Sequence, residues 1–285
     1  MSSPNTANST PTLNKGRLLV TGAAGALGKV LREALVGDVG PGREWTSLRV
    51  SDRAAIADAR SHEEVVICDL ANREAMEKLL VGVDAVVHLG GQSVETPFEG
   101  ICEANIKGVF NLYEAARLAG CNRVIMASSN HVTGCYDQGE FVSPEMPARP
   151  DGYYGVSKLF AEGMASMYFD RYGIETVNFR LGSVVARAED RRALSTWLSF
   201  PDFVRMTHAA LRAKNVGCTT VYGVSANPQK WWSESGWDKI GYVPQDNAEK
   251  WRDEIQDKVF PEGSMMAKKQ GGSFLNLGPF PRVGS

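Results

Sequence analysis

Arg17-Leu-Leu-Val-Thr21 runs straight into Gly22-Ala-Ala-Gly25-Ala-Leu-Gly28, and the helix that opens at Gly25 continues to Val36. A short apolar run, a glycine turn and an amphipathic helix form one strand–turn–helix unit, and the pattern then repeats. Leu48–Asp52 and Val65–Cys68 read as the next strands. Asn72 can cap a helix in which Met76, Leu79 and Leu80 share a face. Asp84–His88 is a fourth strand, and the following long helix places Val109, Leu112, Tyr113 and Ala116 at i, i+3, i+4, i+7. Arg123–Ala127, a helix over Tyr154–Tyr172 and a strand over Thr176–Arg180 complete the regular part. Strands that alternate with helices of this length need parallel crossovers, so the fold class is α/β, a doubly wound parallel sheet covered on both faces. Beyond Arg180 the alternation loosens. A helix is expected over Asp202–Ala213, a strand over Thr219–Tyr222 and a last helix over Asn247–Lys258.

The first turn carries chemistry as well as topology. Glycines between a strand and a helix allow a tight turn and let a pyrophosphate approach the helix N-terminus, with its amide donors and positive dipole end. Gly22, Gly25, Ala26, Leu27 and Gly28 are the residues so placed, although such glycines also serve packing alone. Asp52 ends the second strand 24 residues after Gly28, where a carboxylate can accept hydrogen bonds from an adenosine ribose. Its charge repels a 2′-phosphate, so NAD is expected over NADP. Arg53 is read as a solvated surface charge. Asp69 and Leu70 after the third strand, Leu89, Gly90 and Gly91 after the fourth, and Asn105 in the next helix fit the same Rossmann-type cleft. The expected division is a disordered leader over 1–16, a NAD-binding Rossmann core over 17–183, a small substrate-binding part over 184–260 and a tail over 261–285 of loop or partial disorder.

Tyr154-Gly-Val-Ser-Lys158 is the second constellation. The i, i+4 spacing puts phenol and ammonium on one helix face. An ordinary tyrosine, with a pKa of about 10, is a poor base near neutrality, but a neighbouring ammonium and a cationic nicotinamide favour phenolate. Ser129, which with Ser128 closes the fifth strand 25 residues earlier, can hydrogen-bond the reacting oxygen. Catalytic roles are therefore expected for Tyr154, Lys158 and Ser129, with Tyr154 and Lys158 also against the cofactor. Tyr153 lacks the spacing to Lys158 and is read as packing. His88 closes its strand as a structural or cofactor-flanking residue.

Taken together, TGxxGxxG, Asp52, Asp69-Leu70, His88-Leu-Gly-Gly, Ser128-Ser129 and YxxxK resemble the extended short-chain dehydrogenases, the epimerase/dehydratase-like family. More narrowly, the chain is similar to the uronate dehydrogenases. That resemblance rests on Leu18–Gly25, His88-Leu-Gly-Gly-Gln-Ser-Val-Glu95, Ala127-Ser-Ser-Asn-His131, Pro147–Lys158, Met167–Asp170, Leu194-Ser-Thr-Trp197 and Gln270-Gly-Gly-Ser273. It implies NAD-dependent oxidation of the anomeric carbon of galacturonate or glucuronate to an aldarolactone by hydride transfer, with Tyr154 taking the hydroxyl proton. It also implies substrate contacts from Ser93, Ser129, Asn130, His131, Tyr154 and Ser183, the last also facing the nicotinamide. Arg192 is the expected reader of the substrate carboxylate, since guanidinium binds carboxylate through two parallel hydrogen bonds. Arg191 stands as the alternative within the charge-rich stretch Arg187–Arg192.

The totals exclude several classes. The chain has 285 residues, 43% hydrophobic and 22% charged, with a formal net charge of −2 and no basic stripe, which offers nothing to nucleic acid. No apolar run approaches a membrane span. Five scattered cysteines without a CxxC pair suit a reducing compartment, and no metal site is expected. A cytoplasmic homo-oligomer acting on a small uronic acid is the expectation. The rivals are a nucleotide-sugar epimerase or dehydratase and a non-catalytic NAD-sensing scaffold. Against the dehydratase, Asn130-His131 stands where an Asp-Glu pair is usual. The segment after Arg180 is also short for a nucleotide-binding lobe.

Overall fold

The computed structural model describes residues 15–278 and residue 280. Strands β1 (Lys15–Thr21), β2 (Trp45–Asp52), β3 (Glu63–Ile67), β4 (Val83–His88), β5 (Arg123–Ser129) and β6 (Glu175–Leu181) form the body of one parallel sheet. Two short strands, β7 (Ser183–Val184) and β8 (Trp197–Leu198), pair with each other. The last strand, β9 (Cys218–Gly223), returns to the edge of the main sheet, whose order is β3-β2-β1-β4-β5-β6-β9.

Period-two alternation sends each strand's side chains to two different cores. Leu18, Val20, Val50, Val87, Ile125, Val177 and Phe179 point to one face. There they meet Leu31 of α1 (Ala26–Ala34) and, from a later helix, Phe203, Met206 and Ala210. Leu19, Val86, Val124 and Met126 point to the other. They pack on Met76 and Leu79 of α2 (Arg73–Leu79), Leu112 and Tyr113 of α4 (Gly108–Ala119), and Ala161 and Ala165 of α5 (Tyr153–Tyr172). Covered on both sides, the middles of β1 (Leu18–Val20), β4 (Ala85–Val87) and β5 (Val124–Met126) are apolar on both faces, as a parallel sheet favours. Asn72 caps α2 by accepting from Ala75 N at 3.0 Å. Between β4 and α4 lie α3 (Phe98–Ile101) and a π-helical turn over Cys102–Lys107. After β7 comes α6 (Ala193–Thr196), and α7 (Phe200–Arg212) follows β8. The chain reverses direction across the sheet between β1 and β4, and a crevice opens there at the strands' carboxyl ends. Among the described residues, no helix is long and apolar enough to cross a membrane.

Four expectations are amended. Residues 1–14 of the expected leader lie outside the described residues, whereas Lys15 and Gly16 already belong to β1. The segment 184–260 is not one annex: β9 adds an edge strand to the main sheet and α7 packs on its face. The helix expected over Asn247–Lys258 is broken into a 3-10 turn (Ala248–Trp251) and a short α-helix (Arg252–Ile255). The backbone leaves helical geometry at Trp251, at φ −112° and ψ 5°, where its ring meets Trp197 edge-on at 4.8 Å. The tail is ordered where it is described, with a helical turn at Met265–Lys268, another at Gly272–Asn276 and a fully buried Gln270. Polar contacts rather than an apolar stripe hold it. Gln270 donates to Asp137 O and Glu140 O (3.0 and 2.8 Å) and accepts from Trp232 Nε1 at 2.7 Å.

Candidate active site

The turn from Gly22 to Gly28 leaves room that side chains would fill. Gly22 has φ +70°, and a Cβ there would lie 2.6 Å from the Leu89 carbonyl carbon and 2.7 Å from Gly90 N. A Cβ on Gly28 would lie 2.3 Å from Gly22 O. Both approaches are to backbone, which cannot swing aside. In front of the turn lies a cleft of about 310 Å³. Its walls bring together Gly22, Gly25, Ala26, Leu27 and Gly28 with Asp52, Asp69 and Leu70, and with Leu89, Gly90 and Gly91; Arg53 and Ser93 also line it. Asp52 is held by Ala24 N and Ala54 N, both at 3.0 Å, and keeps acceptor capacity for a diol. A glycine cradle at a helix start and a fixed carboxylate at the far strand end fit a dinucleotide with a free ribose, so these residues can hold NAD.

Asn105 is not in the wall of this cleft. It lies behind it, in the π turn, with its amide used up by the protein. Oδ1 accepts from Gln92 N at 2.7 Å, and Nδ2 donates to Gln92 O (3.0 Å) and Ser157 Oγ (2.9 Å). These bonds tie the cleft loop to α5.

Tyr154 is the second residue of α5 and buried; Lys158 lies one turn on, its Nζ 5.5 Å from the phenol ring centroid and donating to Ala127 O at 2.8 Å. The phenol shares a hydrogen bond with Ser129. Burial pushes the phenol up to about 12 in spite of that bond, with Asp151 adding to the rise, and burial pulls Lys158 down to about 8. Without the positive charge of a nicotinamide, desolvation at the phenol outweighs the neighbouring groups. His88 is held neutral, pushed down to about 3 by burial and by Lys158, with Nδ1 2.8 Å from Thr21 Oγ1. Tyr153 is half exposed and packs edge-on against Phe98 at 5.7 Å.

The strand ends of β5 and β6 and the segments after them assemble a polar wall. Arg192 donates from Nε to Gln270 O (2.7 Å) and from Nη1 to Ser183 Oγ (3.0 Å) and Thr196 Oγ1 (3.4 Å). Asn130, with its amide oriented by its neighbours, donates to Leu181 O and accepts from Arg192 Nη2, both at 3.0 Å. Every one of these acceptors is neutral. Burial lowers the guanidinium pKa, opposed by the more distant charges of Asp190 and Asp151, and among the described residues no carboxylate comes within ion-pair distance. Arg191 is exposed. The cluster is built around Arg192.

His131 Nδ1 lies 2.6 Å from Asp151 Oδ2, and its ring stacks on Phe274 at 3.7 Å. Both rings lie 5.8 Å from that of Tyr154. Room for the Asp151 carboxylate comes from Gly134 and Gly271, where a Cβ would fall within 1.8 and 1.9 Å of it. Two groups thus meet at the consecutive residues 129–131: Arg192, Ser183 and Asn130 are joined by hydrogen bonds, and Ser129, His131 and Tyr154 lie against one another; Ser93 stands apart on the dinucleotide cleft. Asp151, Phe274, Gln270 and Glu95 were not singled out from sequence. The only signal was that Glu95, Asp151 and Gln270 fall within the blocks that carry the family resemblance; Phe274 lies just outside one.

With that geometry in place, comparison assigns the class. The profile of the NAD dependent epimerase/dehydratase family matches residues 18–200. The chain belongs to that family and, within it, to the uronate dehydrogenases. It is 51% identical to the uronate dehydrogenase of Pseudomonas syringae pv. tomato over 93% of this chain and 94% of the relative. It is 47% identical to that of Agrobacterium fabrum over 91% and 97%. The crystal structure of an Agrobacterium tumefaciens uronate dehydrogenase, a Y136A mutant complexed with NAD, superposes with a TM-score of 0.87 at 46% identity, covering 93% of this chain and 99% of that one. The protein is an NAD-dependent oxidoreductase.

Proposed function

We propose that the chain oxidises the anomeric carbon of free galacturonate or glucuronate, in the cyclic form, to the aldarolactone. The observation that carries this reading is Arg192: a guanidinium whose hydrogen bonds go only to neutral acceptors, among them Asn130, the chain neighbour of the Ser129 that lies against the Tyr154 phenol. An anionic group is the partner such a cation lacks, and a carboxylate accepts two parallel guanidinium bonds.

NAD, when bound, supplies the acceptor for the two electrons leaving C1 and a positive charge beside the phenol. Gly22, Gly25 and Gly28 with the first turn of α1 hold the diphosphate, and Asp52 the adenosine ribose. Ser129 donates to the C1 oxygen and keeps it next to Tyr154, which, having first lost its own proton to solvent, takes the C1 hydroxyl proton as the phenolate. Lys158 stabilises the phenolate and holds the second ribose. His131, fixed by Asp151, and Asn130 bind ring hydroxyls, while Ser183 supports the carboxylate at Arg192. The Phe274 ring closes the wall beside Tyr154 and excludes water. A homo-oligomer is part of this proposal.

Tyr154→Phe tests the chemistry. NADH formation from galacturonate should fall to background while NAD binding, followed by protein fluorescence, stays within a few-fold of the parent. Turnover retained in Tyr154→Phe assigns the base elsewhere.

A further inference from the structure

We infer that Glu95 is a positioning residue for Tyr154: its carboxylate joins the loop lining the dinucleotide cleft to the first turn of α5, so that cofactor seat and base are held as one body. The inference rests on Tyr154 being the base.

Helix α5 starts after Gly152, which has no side chain with which to cap it. The free amides at a helix start need acceptors, usually a Ser, Asp or Asn at the cap position. Here they are taken from a distant part of the chain. Glu95 Oε1 accepts from Tyr153 N at 2.8 Å and Oε2 from Tyr154 N at 2.7 Å. The carboxylate is buried, and its charge faces the positive end of a 20-residue helix. Gly152 is shaped to admit it, since a Cβ there would lie 2.5 Å from Glu95 Oε2.

The same loop is fastened a second time. Asn105 holds both backbone groups of Gln92 and donates to Ser157 Oγ, which in turn donates to Tyr154 O at 2.7 Å. The amide and the carbonyl of Tyr154 are therefore both tied to residues 92–95, and Gly91, Gln92 and Ser93 line the dinucleotide cleft. A Ser or Asp at position 152 would cap the helix equally well but would not connect it to that loop. What the distant carboxylate adds is the link. The phenol oxygen lies at the far end of its side chain, so a small backbone rotation at Tyr154 moves it by about 1 Å, and displacements of that size cost about 100-fold in rate.

The test compares Glu95→Ala, Glu95→Gln and the double variant Glu95→Ala/Gly152→Asp in the full chain, with single-turnover NADH formation from galacturonate at saturating NAD. We expect Glu95→Ala to lower the rate about 100-fold and Glu95→Gln, which keeps one acceptor oxygen, about 10-fold, with KM for the uronate changed less than about threefold. The double variant regains a local cap and the lost thermal stability, but its rate stays low. Recovery of the rate in the double variant, or a rate within twofold of the parent in folded Glu95→Ala, reduces Glu95 to a helix cap and overturns the inference. Should Glu95→Ala not fold, Glu95→Gln decides by the same criterion. Hydrogen exchange at the Tyr153 and Tyr154 amides separates this inference from the assignment of the base. NAD should slow exchange there in the parent and not in Glu95→Ala, whether or not uronate is turned over; equal protection by NAD in both overturns the link.

Discussion

Replacing Arg192 by alanine removes a cation whose neighbours can be counted. The guanidinium has four hydrogen-bond partners, Gln270 O, Ser183 Oγ, Thr196 Oγ1 and Asn130 Oδ1, all uncharged. No buried carboxylate is stranded by its loss, so the fold should survive. The substrate carboxylate loses its only charged partner in the network but keeps Ser183 and Asn130. Truncating one side of a desolvated charge pair costs about 2–5 kcal/mol, and the remaining neutral donors place this case at the lower end, about 2–3 kcal/mol. That is roughly a 30- to 150-fold loss in kcat/KM, at about 1.4 kcal/mol per factor of ten. The assay is initial-rate NADH formation with galacturonate and, in parallel, with galactose, which has the same ring hydroxyls and no carboxylate. The galacturonate rate should fall by that factor and the galactose rate should barely move, so the preference for the acid collapses. An equal loss on both sugars, or a change under threefold on galacturonate, removes Arg192 from carboxylate recognition and returns Arg191 to consideration.

Asp52→Ala should weaken NAD by about tenfold and leave NADP unchanged or tighter, read as the ratio of the two kcat/KM values; an unchanged ratio means that the Asp52 carboxylate does not face the ribose. His88 is held at about 3 against an ordinary 6.5. Its contribution to stability is therefore complete above pH 6.5 and is lost as pH falls from there towards 3, because the unfolded chain takes up the proton first. His88→Asn should flatten that acid limb in denaturant titrations, and an acid limb as steep as the parent's would show the imidazole already protonated in the folded protein.

The sheet was readable because the middles of β1, β4 and β5 are apolar on both faces and several helices keep the 3.6 period, and Leu18–Gly28 with Asp52 already marked the crevice. Tyr154, Lys158 and Ser129 were readable from spacing. What could not be read depends on three-dimensional burial and on polar contacts between distant segments. Gln270 and Phe274 sit in a tail with no apolar rhythm, held by hydrogen bonds to Asp137, Glu140 and Trp232 and by a stack on His131. The upward shift of Tyr154 reflects desolvation, which no i, i+4 spacing reveals. Asn105 was placed in the right neighbourhood, but helix position alone did not show that its amide turns towards Gln92 and Ser157. The break at Trp251 is set by its packing against Trp197, a residue of a different element.

The product made from a free sugar acid distinguishes a uronate dehydrogenase from a sugar-nucleotide epimerase. Purified protein incubated with NAD and galacturonate should yield NADH and an aldarolactone in equal amounts, the lactone identified by proton NMR, while UDP-galactose and UDP-glucose remain unchanged. Interconversion of the UDP-sugars without any response to free galacturonate or glucuronate would contradict the proposed function.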